Sequence, residues 1–235
     1  MNKIIIEYFS DVLCVWSYGG QIRIDELKKK YPGKLEFHYR FLPLFSSTAN
    51  RMTREWGHRG HYSGFNKHLQ GVMAQWDHLE MHPDVWLKNV PASSVNAHLY
   101  LTAIRILENN GVVSKDDRHE FQRHNLFEET IWRIREAFFR HNLNIADIKV
   151  LDSIANDLHL PVDQIRQLID TGEAQAELCL DFDAKETYQV PGSPTFIFNS
   201  GRQRLYGNVG YRILEANFQE LLLEDDINCN EPSWC

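Results

Sequence analysis

Ile4-Ile5-Ile6-Glu7-Tyr8-Phe9-Ser10-Asp11-Val12-Leu13-Cys14-Val15-Trp16-Ser17 is the stretch on which the fold turns. It opens as a near-continuous apolar run, the pattern of a strand covered on both faces. From Val15 to Lys30 the sequence suits a helix, and Tyr31-Pro32-Gly33 stops it. Leu35, Phe37, Tyr39 and Phe41 then alternate with Glu36, His38 and Arg40, a period-two strand with one dry face. Strand, helix and strand in that order make a βαβ unit, hence a parallel pair with a right-handed crossover.

Beyond Phe45 the strand signals vanish as far as Tyr188. Ser94–Leu107 carries Val95, Leu99, Ala103, Ile104 and Leu107 at helical spacing. Ser114-Lys-Asp-Asp reads as a helix start, Thr130–Phe139 and Asp147–Leu158 continue the pattern, and Pro161 suits the first turn of a helix running toward Thr171. Ser46–Trp86 lacks a clean period and reads as loop with short helices covering a site. Thr195-Phe-Ile-Phe198, a turn at Asn199-Ser-Gly201 and a partner at Arg204-Leu-Tyr206 form a β-hairpin. A last amphipathic helix uses Ile213, Leu214, Phe218, Leu221 and Leu222. The order β-α-β, helical block, β-β-α is an α/β fold with a large all-helical insertion. Residues 1–45 and 185–228 form one domain, 46–184 the insertion and 229–235 a tail.

Composition narrows the function classes. The chain has 235 residues, 25 Lys+Arg against 32 Asp+Glu, a net charge of −7 and 43% hydrophobic residues. That excludes a disordered chain, and four Cys cannot staple a fold this long. The acidic balance argues against a nucleic-acid partner, which needs a basic face. Residues 1–10 lack the pattern of a signal peptide, and no run approaches the ~20 apolar residues that span a bilayer. The expected compartment is therefore the cytoplasm, where cysteines are read as catalytic or redox-sensing before structural.

Cys14 stands where the first strand ends and the first helix begins. Unpaired N–H groups and the positive end of the helix dipole favour a thiolate there. Ser17, one turn on, is placed to donate its hydroxyl to the sulfur. The plainer reading of a cysteine before a helix is a small buried hydrophobe. Val190-Pro-Gly-Ser193-Pro194-Thr195 shifts the balance: Pro194 is a poor entry to a central strand unless its peptide bond is cis, which would let the Ser193 backbone face an extended ligand. A trans-proline turn is the alternative.

The strand-end Cys-x-x-Ser, the distant Ser-Pro-Thr-Phe before a hairpin and the helical block between them resemble the DsbA family of thioredoxin-fold proteins. Within it the sequence is most similar to the FrnE-like and 2-hydroxychromene-2-carboxylate isomerase branch, which also resembles kappa-class glutathione transferases. Ser93-Ser-Val-Asn-Ala-His98 is similar to that branch's Asn-[Thr/Ser]-x-x-Ala-His segment, with Ser93 where Asn is usual. Ala137-Phe-Phe-Arg-His-Asn-Leu-Asn-Ile-Ala-Asp-Ile-Lys-Val-Leu151 is similar to its Ala-Tyr-Phe…Val-Leu helix pair. The likeness runs from Ile4 to Leu223 and implies a thioredoxin-like fold, Cys14 and Ser17 as catalytic positions, and Val15, Trp16, His98, Ser193 and Pro194 as substrate-binding ones. His98 could equally be a hydrogen-bonded core histidine.

One departure matters. Redox members carry Cys-Pro-Trp-Cys, whereas here Ser17 replaces the second thiol that would resolve a mixed disulfide. Some relatives carry an additional C-terminal cysteine pair, so Cys229 and Cys235 are candidates to resolve it; two idle thiols on a frayed tail are the alternative. Cys179, among Leu178, Leu180 and Phe182, reads as core. His58/His61, His78/His82 and His119/His124 lack the partners of a metal site, so no metal is expected. The resemblance implies glutathione as cofactor or co-substrate, dimerisation as a common state of relatives, and two chemistries. One is thiol–disulfide exchange on a protein or small-molecule substrate at Cys14; the other is glutathione-dependent isomerisation or transfer on a small aromatic substrate. A third reading is a non-enzymatic adaptor binding extended peptides at the proline loop.

Overall fold

The computed structural model describes residues 3–121 and 124–224. Strand β1 (Ile4–Ser10) leads into helix α1 (Val15–Lys30) and strand β2 (Leu35–Phe41). Helices α2 (Thr48–Trp56), α3 (His61–Met73), α4 (Val95–Asn109), α5 (Leu126–Phe139), α6 (Ile148–Asp157), α7 (Val162–Asp170) and α8 (Glu173–Thr187) follow. Strands β3 (Thr195–Phe198) and β4 (Gln203–Tyr206) and helix α9 (Tyr211–Glu224) complete the described chain. The sheet order is β2-β1-β3-β4. β1 runs parallel to β2 with Ile4 opposite Leu35, and antiparallel to β3 with Phe9 opposite Thr195. The helical block is thus an insertion between β2 and β3, as the loss of strand signals implies.

The two faces of the sheet differ. Ile6, Tyr8, Tyr39, Phe41, Phe196 and Phe198 point into a core shared with α1, α4 and α5, where Tyr100, Ile104, Ile134 and Phe138 are fully buried. On the other face, among the described residues, Phe9, Leu42, Val190 and Ile197 form a small sealed cluster against the end of α8. The apolar run of β1 is therefore not covered on both faces throughout: Ile5 is 48% exposed. The rest of that face is a charge network. Arg40 Nε donates to Glu7 Oε2 at 2.8 Å, and Arg40 Nη1 reaches Asp181 Oδ1 at 3.1 Å. Asp181, wholly buried, accepts the Phe41 N–H at 3.0 Å and the Arg105 guanidinium at 3.1 Å, tying α8 to α4 and β2. Donors from Arg40, Phe41 and Arg105 together offset the cost of burying a carboxylate.

Two local expectations change. Ser114 starts no helix: its hydroxyl closes a turn on Asp116, and α5 begins at Leu126 instead. The true cap is Asn125, whose side chain accepts the Glu128 N–H at 2.8 Å while the Glu128 carboxylate reaches back to the Asn125 N–H at 3.2 Å. Cys179 is exposed, not core, because the buried stripe of α8 runs through Ala174, Leu178 and Asp181.

Helix α1 is fixed against α5 by a buried histidine. His124 Nε2 lies 3.0 Å from Asp25 Oδ1 and Nδ1 lies 3.1 Å from Glu129 Oε2. Burial alone would lower the imidazole pKa, but the bonds to Asp25 and Glu129 prevail and raise it to about 9. A pKa raised in the folded state stabilises fully below the unfolded value near 6.5 and fades as pH climbs through about 9. Unfolding free energy should therefore fall by on the order of 2 kcal/mol between pH 6.5 and 9, and His124→Gln should remove that slope. Urea titrations of both proteins across this window measure it.

Candidate active site

The turn between β1 and α1 is built around Asp11, a carboxylate with no exposure. Its Oδ1 accepts the Leu13 N–H at 2.8 Å, and its Oδ2 accepts the Phe45 N–H at 3.0 Å and the Ser94 hydroxyl at 2.7 Å. Its own N–H donates to Ser193 Oγ at 3.0 Å, and its carbonyl accepts the Cys14 N–H at 3.0 Å. The turn, the β2–α2 loop, the start of α4 and the loop before β3 thus meet at one residue. Cys14 is the N-cap of α1, with extended φ −81° and ψ 114°. Its carbonyl accepts the first helical N–H groups, from Ser17 and Tyr18, at 3.1 Å each. Its side chain makes no cap bond, which leaves the thiol for another partner.

That partner lies 179 residues downstream: Cys14 Sγ donates to the Ser193 carbonyl at 3.3 Å. The Ser193–Pro194 peptide bond is cis. Ser17 Oγ pairs with Ser193 Oγ at 3.0 Å, so its hydrogen bond goes to the loop rather than to the sulfur. Pairing of β1 with β3 brings the two loops together, because Phe9 and Thr195 are opposite one another beside each loop. Gly207 N–H donates to the Pro194 carbonyl at 2.9 Å, and Thr195 Oγ1 donates to the Gly192 carbonyl at 2.7 Å, fixing the loop from behind. Cys14 retains 6% exposure.

The family model of the DSBA-like thioredoxin domain matches residues 5–219. The chain belongs to that family. No protein of curated function matches it in sequence. Among solved structures, a Nitrosomonas europaea protein assigned as a protein disulfide isomerase superposes with a TM-score of 0.72 at 16% identity, over 95% of this chain and 99% of that one. The cytosolic disulfide reductase DsbM of Pseudomonas aeruginosa gives 0.64 at 16% identity, over 92% and 99%. A 2-hydroxychromene-2-carboxylate isomerase gives 0.63 at 14% identity, over 95% and 98%. At these identities the likeness is one of fold.

Against the DSBA-like frame, the residues singled out from sequence separate into two groups. Cys14, Ser17, Ser193 and Pro194 come together. Trp16, half-buried, sets its ring edge-on to Trp76, with centroids 5.7 Å apart. Val15 is 5% exposed and part of the core. His98, expected to line the site, has no exposure and sits behind it: its Nε2 accepts the Val12 N–H at 3.3 Å and its ring stacks on Phe41 at 5.2 Å. Burial lowers its pKa, which agrees with a neutral ring accepting at Nε2. Cys229 and Cys235 lie outside the described residues. Among the described residues, no three His, Cys, Asp or Glu side chains converge as a metal ion requires, and no helix is long and apolar enough to cross a membrane.

Sequence reasoning missed three supports. Asp11 and Ser94 stand inside quoted motifs, yet nothing in their spacing says that they bond one another. Arg135 is fully buried beneath α1, donating to Gln21 Oε1 at 2.8 Å and Ser10 Oγ at 3.1 Å. It carried no signal at all. A separate cleft of about 420 Å³ follows the edge of β2, lined by Lys28, Tyr39, Glu108 and Glu128, and none of Cys14, Ser17, Ser193 and Pro194 borders it.

Proposed function

We propose that this DSBA-like protein exchanges thiols and disulfides through one cysteine, Cys14, with Ser17 in place of a resolving thiol. The observation that carries the reading is the Cys14 sulfur at the head of α1, bonded to the Ser193 carbonyl beside cis-Pro194. In the first step the Cys14 thiolate attacks one sulfur of a disulfide RSSR′. A Cys14–S–SR bond forms, and R′S⁻ leaves and takes a proton from water. In the second step the thiolate of glutathione attacks the SR sulfur, releasing GSSR and the Cys14 thiolate. The sum is RSSR′ plus glutathione giving R′SH plus GSSR, so no other reductant is needed. The DsbM fold has also been solved with glutathione, and DsbM is described as cytosolic. Both facts support glutathione as co-substrate and the cytoplasm as compartment.

Ser17→Cys tests the monothiol step. Residues three apart at a helix start satisfy disulfide geometry, so the oxidised variant should close a bridge between Cys14 and the introduced thiol and carry no glutathione. Intramolecular attack should lower its dependence on glutathione for release of a bound thiol by on the order of tenfold or more. Wild-type protein treated with oxidised glutathione should instead hold an adduct at Cys14. A variant that holds the adduct as stably as wild type contradicts the reading.

A second reading follows from the Ser17–Ser193 hydroxyl pair. A hydroxyl pair in this place suits glutathione-dependent isomerisation or transfer on a small aromatic substrate, and a 2-hydroxychromene-2-carboxylate isomerase shares the fold. Calorimetry separates the two: this reading requires reduced glutathione to bind Cys14→Ser, whereas pure exchange requires only transient contact.

A further inference from the structure

Helix α1 carries Gly19 and Gly20 in its interior, where glycine weakens a helix relative to alanine. At Gly19 the reason is visible. A Cβ there would lie 2.0 Å from Cζ3 and 2.3 Å from Cη2 of Trp76, so the indole is pressed onto the helix backbone where only glycine leaves room. The segment after α3 is held in that place. The Trp76 N–H donates to the Met73 carbonyl at 2.9 Å, and His78 Nε2 lies 3.3 Å from the Gly19 carbonyl. Trp76 in turn meets the edge of Trp16 at an interplanar angle of 80°.

Neither indole is buried completely. Trp16 is the second residue of α1, and Gly19 lies about 7.5 Å along the helix axis from Cys14 at 1.5 Å per residue. The helical insertion therefore lays a partly open aromatic wall along the same end of α1 that carries the sulfur. Partly buried indoles with an open edge recognise apolar groups strongly.

We propose that Trp76, set against Trp16, is a specificity-determining residue that favours disulfides carrying an aromatic group next to the reacting sulfur. This inference rests on Cys14 being the nucleophile. It names the substrate class that the Cys14 reading leaves open.

The test compares glutathione-dependent reduction of dithiodipyridine, an aromatic disulfide, with that of hydroxyethyl disulfide, an aliphatic one. In Trp76→Ala the ratio of kcat/KM for the aromatic over the aliphatic disulfide should fall roughly fivefold, through KM rather than kcat. Gly19→Ala keeps the tryptophan but dislodges it, and should lower the ratio similarly; the double variant should fall no further than Trp76→Ala alone. Equal loss on both disulfides, or no change in the ratio in either variant, overturns the inference. If Cys14→Ser keeps wild-type rates on both disulfides, the Cys14 reading itself fails, which is a separate outcome.

Discussion

Replacing Cys14 by serine should reduce glutathione-dependent disulfide reduction to the uncatalysed rate, a loss of about a thousandfold or more. The fold should be untouched. Serine is a better N-cap than cysteine, and its hydroxyl can make the same bond to the Ser193 carbonyl that the thiol makes at 3.3 Å. The change therefore removes a nucleophile and little else, and thermal unfolding should stay within a few degrees of wild type. Cys179 supplies the internal control: it is exposed on α8, its sulfur accepting from Gln175 Nε2 at 3.6 Å, and it remains in the variant. If exposure alone governed exchange, Cys179 would sustain the activity. Kinetics of Cys14→Ser beside Cys179→Ser decide the matter, and a Cys179→Ser protein that loses the activity while Cys14→Ser keeps it would reverse the assignment.

The largest effect on stability should come from Asp11→Ala. Three donors end on this carboxylate, from Leu13, Phe45 and Ser94, and an unmet buried donor costs roughly 1–3 kcal/mol. Partial relaxation leaves an expected loss of about 3–5 kcal/mol, a large share of what a domain has in reserve. Asp11→Asn should be milder, near half, because one oxygen still accepts while the amide confronts the remaining donors. Urea denaturation measures both. Losses below about 1 kcal/mol would mean that Asp11 does not join the four segments around Cys14 in the way described. Because its N–H and carbonyl also hold Ser193 and Cys14, exchange by the surviving folded fraction should slow as well.

Much of this arrangement was legible in the sequence, for identifiable reasons. The Tyr31-Pro32-Gly33 stop ends α1 at Lys30, and the alternation from Leu35 to Phe41 is β2 residue for residue. Both signals are local, and local periodicity survives folding. The hairpin of β3 and β4 was readable on the same ground. What failed was decided at a distance. Ile5 is exposed because α8 covers only one end of that sheet face, and Cys179 is exposed because the rotation of α8 follows Asp181 toward Arg40 and Arg105. Ser114 imitates a helix start, but its hydroxyl closes on Asp116, and Asn125 with Glu128 sets the boundary. In the site, Cys14 and Pro194 could be named singly. Their meeting depends on the register of β1 with β3, and the buried support from Asp11 and Arg135 depends on residues that share no motif.

Peptide mapping of the native protein after brief exposure to an equimolar amount of oxidised glutathione tests the central claim most directly. A glutathione mixed disulfide on the peptide carrying Cys14, formed faster than on the exposed Cys179, is the predicted result. Modification of Cys179 with Cys14 left as a free thiol would contradict it.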